Sequence, residues 1–123
     1  MSDLFRDELM DIYKNPMNQG QLDDRTHQAE GKNPLCGDQV NLQLKISDGK
    51  IQDAKFNGSA CSISIISSAL LTEHIIGKTV EEAKKITKED LLDMIGLNLT
   101  TSRVKCATLV LNALHGALEG FDL

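Results

Sequence analysis

The amino-acid sequence predicts an α+β fold, a small antiparallel sheet with helices packed on one face. Three observations carry this. Val40, Leu42, Leu44 and Ile46 alternate with polar residues, then Asp48-Gly49 turns the chain back into a second apolar-containing run. A helical pattern precedes this hairpin. Several apolar runs of helical length follow it, two of them opened by capping-box sequences.

The elements follow in order. Over Asp3–Lys14, the residues Leu4, Phe5, Leu9, Ile12 and Tyr13 recur at three- and four-residue steps, which is an amphipathic helix. Asn15-Pro16 ends it, because the residue before proline avoids helical angles. Residues 17–32 are polar, carry Gly20 and Gly31 and show no period, so they read as a loop that is mobile until a ligand or partner arrives. The first clear strand is centred on Val40 to Ile46. The second runs over Lys50–Asn57, with a bulge expected where the alternation breaks between Ile51 and Ala54. A third strand could come from the segment before Asn33 or from elsewhere. Residues 62–76 are apolar and serine-rich; their length favours a helix, with Gly77 as its stop. Thr79 to Glu82 and Thr87 to Asp90 are capping boxes opening short helices through Ile86 and Ile95. After a connector over residues 96–101, Val104, Ala107, Val110, Leu111, Leu114, Ala117 and Leu118 form one stripe of a final helix, closed by Gly120.

A length of 123 residues fits one domain, residues 1–123. At that size a core can form without disulfides. With three Phe, one Tyr and no Trp, the core must be built of Leu, Ile, Val and Ala. The net charge of −5 and the scarcity of aromatics argue against a nucleic-acid groove and against an anionic membrane surface. The N-terminus is acidic where a signal peptide is basic, and no long apolar run follows, so a cytoplasmic location is expected. An odd number of cysteines in a reducing compartment points to metal or thiol chemistry rather than to disulfides.

The three cysteines stand in unusual settings. Cys36 lies in Asn33-Pro34-Leu35-Cys36-Gly37-Asp38, a loop that can present its sulfur, and Gly37 lets Asp38 turn back toward the same point. Cys61 falls at the start of a helix, where unpaired N–H groups favour a thiolate. Cys106 follows Arg103 and Lys105 in the first turns of the last helix, another place that favours a thiolate. The spacings are wide, so paired-cysteine zinc patterns do not apply, and Cys61 and Cys106 read equally well as small buried hydrophobes. On the other reading, three thiolates and the Asp38 carboxylate make four ligands for tetrahedral Zn²⁺. A site closed by a carboxylate opens more easily than one closed by a fourth thiolate, which suits ligand exchange.

Taken together, the motifs resemble the SufU branch of the IscU/NifU-like iron–sulfur cluster assembly family. The matching segments are Tyr13 to Pro16 with Asn18 and Gly20, Asn33 to Asp38, Asp53 to Phe56, Gly58 to Ser64, Gly77-Lys78 and Arg103 to Leu109, which cover nearly the whole chain. The resemblance implies a three-stranded antiparallel sheet with packed helices. It also implies a site of Cys36, Asp38, Cys61 and Cys106 gathered at one end of the molecule. In the SufU branch this site holds zinc, and the thiol matching Cys36 takes sulfane sulfur from a SufS-type cysteine desulfurase. In the IscU branch the same ligands cradle a [2Fe–2S] cluster that is passed to other cluster assembly proteins. Two features favour SufU. Lys105 stands where IscU-type scaffolds carry a histidine, and residues 97–105 lack the Leu-Pro-Pro-Val-Lys chaperone segment. The chain also lacks an insertion that SufU proteins carry between the second and third cysteines, which keeps the scaffold role as an alternative. Arg103, with Lys105 as a second supporting residue, is expected to contact the desulfurase or to stabilise the nearby thiolates.

His27, His74 and His115 rank below Asp38 as ligands; His74 and His115 fall on helices and His27 in the polar loop. Glu81, Glu82, Lys84 and Lys85 read as a solvated helix face with i,i+3 pairs. The serines between Ser62 and Ser68 lack a base, so they read as packing residues rather than nucleophiles.

Overall fold

The computed structural model describes residues 3–33, 37–96, 99 and 101–119, without the side chains of residues 3–6 and 102. Helix α1 spans Asp3–Lys14. Strands β1 (His27–Asn33), β2 (Asp38–Ser47) and β3 (Lys50–Asn57) form an antiparallel sheet in the order β1-β2-β3. Among the described residues five helices follow: α2 (Ser62–Ile75), α3 (Val80–Lys84), α4 (Lys88–Ile95), α5 (Thr101–Ala107) and α6 (Leu109–Leu118). The α+β class holds, and α2 and α6 lie against the sheet.

The hairpin is built as its residues require. Asp48 and Gly49 both have positive φ, 54° and 75°, the turn whose twist matches that of the flanking strands. Lys45 pairs with Asp53 but Ile46 with Ile51, so Gln52 is the extra residue of a bulge, inside the interval where alternation failed. Val40, Leu42, Leu44 and Ile46 of β2 are buried, and with Ile51, Ala54 and Phe56 of β3 they meet Leu71, Ile75 and Leu114 in one aliphatic core.

The third strand comes from residues that the pattern reading left in a loop. β1 reads His-Gln-Ala-Glu-Gly-Lys-Asn, with no large apolar residue at any position. Its period is one of size. A Cβ on Gly31 would strike the carbonyl oxygen of Leu109, and one on Gly116 would meet the Cβ of Ala29 at 3.6 Å. Small residues on both elements thus let β1 lie close against α6. The segment before it is pinned as well. Gly20 N–H donates to the Phe56 carbonyl at 2.8 Å, Phe56 N–H to the Asn18 carbonyl at 3.0 Å, and Leu22 N–H to Gln43 Oε1 at 2.6 Å. Leu22 is buried and covers the side of β2 opposite the helices, where Gln43 is itself buried.

Both capping boxes form, Thr79 with Glu82 and Thr87 with Asp90. Gly96 closes α4 in the left-handed conformation, φ 74°. The expected single final helix is two. The backbone at Thr108 departs from helical angles, with φ −93° and ψ 1°, and its Oγ1 donates to the Val104 carbonyl at 3.0 Å. The apolar stripe runs through the break because Thr108 N–H still donates to the Val104 carbonyl at 3.0 Å. Cys106 therefore sits in the last turn of α5, and the helix-start argument for its thiolate does not apply. Gly120, the expected stop of this helix, lies outside the described residues.

Candidate metal site

Three of the four expected ligands are described, and they come together. Asp38 opens β2, Cys61 is the N-cap of α2 with φ −72° and ψ 170°, and Cys106 lies in α5. A carboxylate oxygen of Asp38 and the sulfurs of Cys61 and Cys106 all lie within 4.8 Å of one another. Asp38 and Cys61 are half-buried and Cys106 is buried. Cys36 lies outside the described residues.

Local sequence explains how these elements meet. Gly37 N–H donates to the Asn33 carbonyl at 2.9 Å, and Asn33 pairs with Asp38. The connection from β1 to β2 is thereby closed at its base, and Gly37 takes the φ of 76° that this closure needs. On the other side Gln39 N–H donates to the Ser59 carbonyl at 2.8 Å. Gly58, with φ 133°, presses its Cα against the Gln39 carbonyl, where any Cβ would collide. The small-residue loop before Cys61 is thus clamped to the first residues of β2. A groove of about 230 Å³, lined by Lys32, Asn33, Gly37, Asp38 and Gln39, opens beside the carboxylate.

The polar contacts converge on one residue that sequence reasoning did not assign to the site. Ser64 Oγ donates to the Cys106 carbonyl at 2.8 Å and stands 3.3 Å from Asp38 Oδ2, while Cys61 Sγ lies 3.7 Å from Ser64 Oγ. The signal available was the Cys61-x-x-Ser64 spacing, which puts both side chains on one face of a helix. Burial raises the pKa of the Asp38 carboxyl, but hydrogen bonds from the thiol and backbone N–H of Cys61, and from Cys106 and Ser64, outweigh it and hold the carboxyl below its ordinary range.

Among the described residues no histidine joins this group. Arg103 and Lys105 are exposed on α5, three residues and one residue before Cys106. His27 is in β1 rather than a loop, and its Nδ1 meets Thr26 Oγ1 at 2.8 Å. His115 Nε2 contacts the Ile86 carbonyl at 3.1 Å, and His74 lies exposed in the last turn of α2. Glu82 serves its own capping box rather than an i,i+3 ion pair. Among the described residues no helix is long and apolar enough to cross a membrane.

The family model for the NifU-like N-terminal domain matches residues 4–122. The chain belongs to that family. Its relatives include proteins named IscU and one named SufU. It is 34% identical to the iron–sulfur cluster assembly scaffold protein IscU 1 of Archaeoglobus fulgidus, over 96% of this chain and 76% of that one. It is 36% identical to the zinc-dependent sulfurtransferase SufU of Bacillus subtilis, over 91% of this chain and 87% of that one. That second alignment runs over 129 positions, more than the 123 residues of this chain, so the SufU relative carries residues with no counterpart here. The crystal structure of a SufU-type putative scaffold protein from Fervidobacterium islandicum superposes with a TM-score of 0.78 at 30% identity, covering 97% of this chain and 96% of that one. The NifU-like fold, with its three-stranded antiparallel sheet and packed helices, and a place in the iron–sulfur cluster assembly family are therefore properties of this chain.

Proposed function

We propose that this chain is a zinc-dependent sulfur acceptor of iron–sulfur cluster assembly. It takes sulfane sulfur from the persulfide of a SufS-type cysteine desulfurase, with Cys36, Asp38, Cys61 and Cys106 as zinc ligands. The reading rests on one observation: Asp38, Cys61 and Cys106, from three different elements, hold their donor atoms within 4.8 Å of one another. Tetrahedral zinc needs thiolate and carboxylate donors about 3.5–3.8 Å apart, so modest side-chain rotation brings these three into range. Cys36, two peptide units from Asp38, supplies the fourth donor. The thiolates are soft donors that suit zinc as they suit iron–sulfur clusters, and a B. subtilis relative bears the name of a zinc-dependent sulfurtransferase.

Asp38, Cys61 and Cys106 belong to β2, the start of α2 and α5, and Cys36 precedes Asp38 by two residues in the sequence. Zinc, when bound, supplies ionisation, because a coordinating thiol is deprotonated outright. The Cys36 thiolate attacks the outer sulfur of the partner's persulfide. A new S–S bond forms at Cys36, the old one breaks, and the desulfurase cysteine departs as a thiolate, with no net redox change. Arg103 and Lys105, exposed beside Cys106, offer positive charge to the approaching partner and to the thiolates. The work belongs in the cytoplasm, where thiols stay reduced.

The test is elemental analysis of protein purified without chelator, followed by a persulfide assay with the cognate desulfurase. A colourless protein with about one zinc per chain is expected. Cys36→Ala should abolish sulfur acceptance; undiminished stimulation of the desulfurase by that variant rules the mechanism out. A second reading, a scaffold holding a [2Fe–2S] cluster on the same ligands, is favoured by the IscU-named relatives at similar identity. Brown protein containing iron and sulfide selects it.

A further inference from the structure

Ser64 takes no part in the sulfur transfer, yet it is the side chain that the three described ligands share. It is fully buried, one turn into α2 from Cys61. Its partners come from three elements: the Asp38 carboxylate of β2, the Cys61 thiol at the start of α2, and the Cys106 carbonyl of α5. A hydroxyl has one proton to give and two acceptor sites. The shortest contact, 2.8 Å, takes that proton to the Cys106 carbonyl. This carbonyl belongs to the last turn of α5, where helical bonding runs out before the break at Thr108. The same oxygen lies 3.7 Å from the Cys61 sulfur and 3.3 Å from Asp38 Oδ2.

We propose that Ser64 is a positioning residue of the metal site. Its hydroxyl, bonded to the turn bearing Cys106 and in reach of the Asp38 carboxylate and the Cys61 sulfur, keeps the three ligands close enough for a tetrahedral cation to draw them together. The inference rests on the zinc reading above and goes beyond it, since Ser64 is not itself a ligand. Groups that orient metal ligands are worth about 10–100-fold in affinity when removed.

The experiment uses the metal-free full chain, wild type, Ser64→Ala and Ser64→Thr, titrated with zinc against a chromophoric chelator. A parallel titration with cobalt(II) follows the absorption of tetrahedral coordination, and thermal melts are taken without metal. Ser64→Ala is expected to bind zinc about 10–100-fold more weakly and to show a weakened tetrahedral cobalt band, with metal-free folding retained. Ser64→Thr, which keeps the hydroxyl, is expected to retain most of the affinity. It also decides the case should the alanine variant not fold. Wild-type affinity in Ser64→Ala alongside a lowered metal-free melting point would make Ser64 only a cap for α5 and overturns the proposal. Equal loss in the alanine and threonine variants overturns it too. A wild-type chain that takes up no zinc or cobalt sinks the zinc reading and this inference together; wild-type uptake with unchanged Ser64→Ala uptake sinks this inference alone.

Discussion

At Gly58 the geometry of the site depends on the absence of a single carbon. The residue sits at φ 133°, a conformation that side chains rarely adopt, and its Cα faces the carbonyl oxygen and carbon of Gln39. Two costs therefore add in Gly58→Ala: backbone strain, and separation of the loop from β2, which breaks the 2.8 Å bond from Gln39 N–H to the Ser59 carbonyl. The expected loss is about 2–3 kcal/mol of unfolding free energy, read as a lower denaturant midpoint. Because the same loop delivers Cys61 to Asp38, zinc affinity should fall with stability. A change under about 0.5 kcal/mol would mean that loop and strand part freely and that the clamp does not set the site. Ser64 works at the same scale by the opposite means, an atom present rather than absent.

At the scale of elements, the two capping boxes make the stability of α3 and α4 pH-dependent. The backbone N–H of Thr79, then its hydroxyl, stabilise the ionised Glu82, and Thr87 does the same for Asp90, so both carboxyls titrate below their ordinary values near 4.5 and 3.8. A carboxyl whose folded pKa is depressed adds stability above its unfolded pKa, and that stability is lost as pH falls through the folded one. The double variant Glu82→Gln, Asp90→Asn should accordingly show a flatter decline in melting temperature below about pH 4.5 than the wild type. Equal slopes would refute the contribution. These boxes were legible in sequence because capping is a local matter of residue type and spacing, as was the Asp48-Gly49 turn. β1 was not legible, because what shapes it is contact with the backbone of α6; that contact selects Ala29 and Gly31 for size and leaves no apolar alternation. The division at Thr108 was hidden for a related reason, since the helical phase survives it and the apolar stripe stays continuous. Asp38, Cys61 and Cys106 were legible as candidates by residue type and motif order, yet their meeting depends on the positive φ of Gly37 and the close approach of Gly58 to Gln39. Ser64 was hidden because a buried serine one turn along a helix looks the same in sequence whether it packs or orients.

At the scale of the molecule, α2 is the element through which the site reaches everything else. It packs on α1, α4, α5 and α6 and on strands β2 and β3. Its start carries Cys61, and its last third carries the buried Thr72, whose hydroxyl receives Asn18 Nδ2 at 3.2 Å from the segment after α1. A cation held by Asp38, Cys61 and Cys106 therefore ties β2, α2 and α5 at one end of a helix that the rest of the core grips along its length. Such a cation binds the folded chain and finds no preformed site in the unfolded one, so it stabilises by mass action. At free zinc 100-fold above its dissociation constant the gain is about 2.7 kcal/mol, which for a chain of this size corresponds to roughly 10 °C in melting temperature. Scanning calorimetry across a series of buffered zinc concentrations should show the midpoint climbing with the logarithm of free zinc, and a chelator should return it to the metal-free value. Cys61→Ser should keep most of the metal-free stability, since the thiol is only half-buried, but lose much of the climb. A wild-type midpoint indifferent to zinc would mean that the convergence of these three side chains is a feature of packing alone.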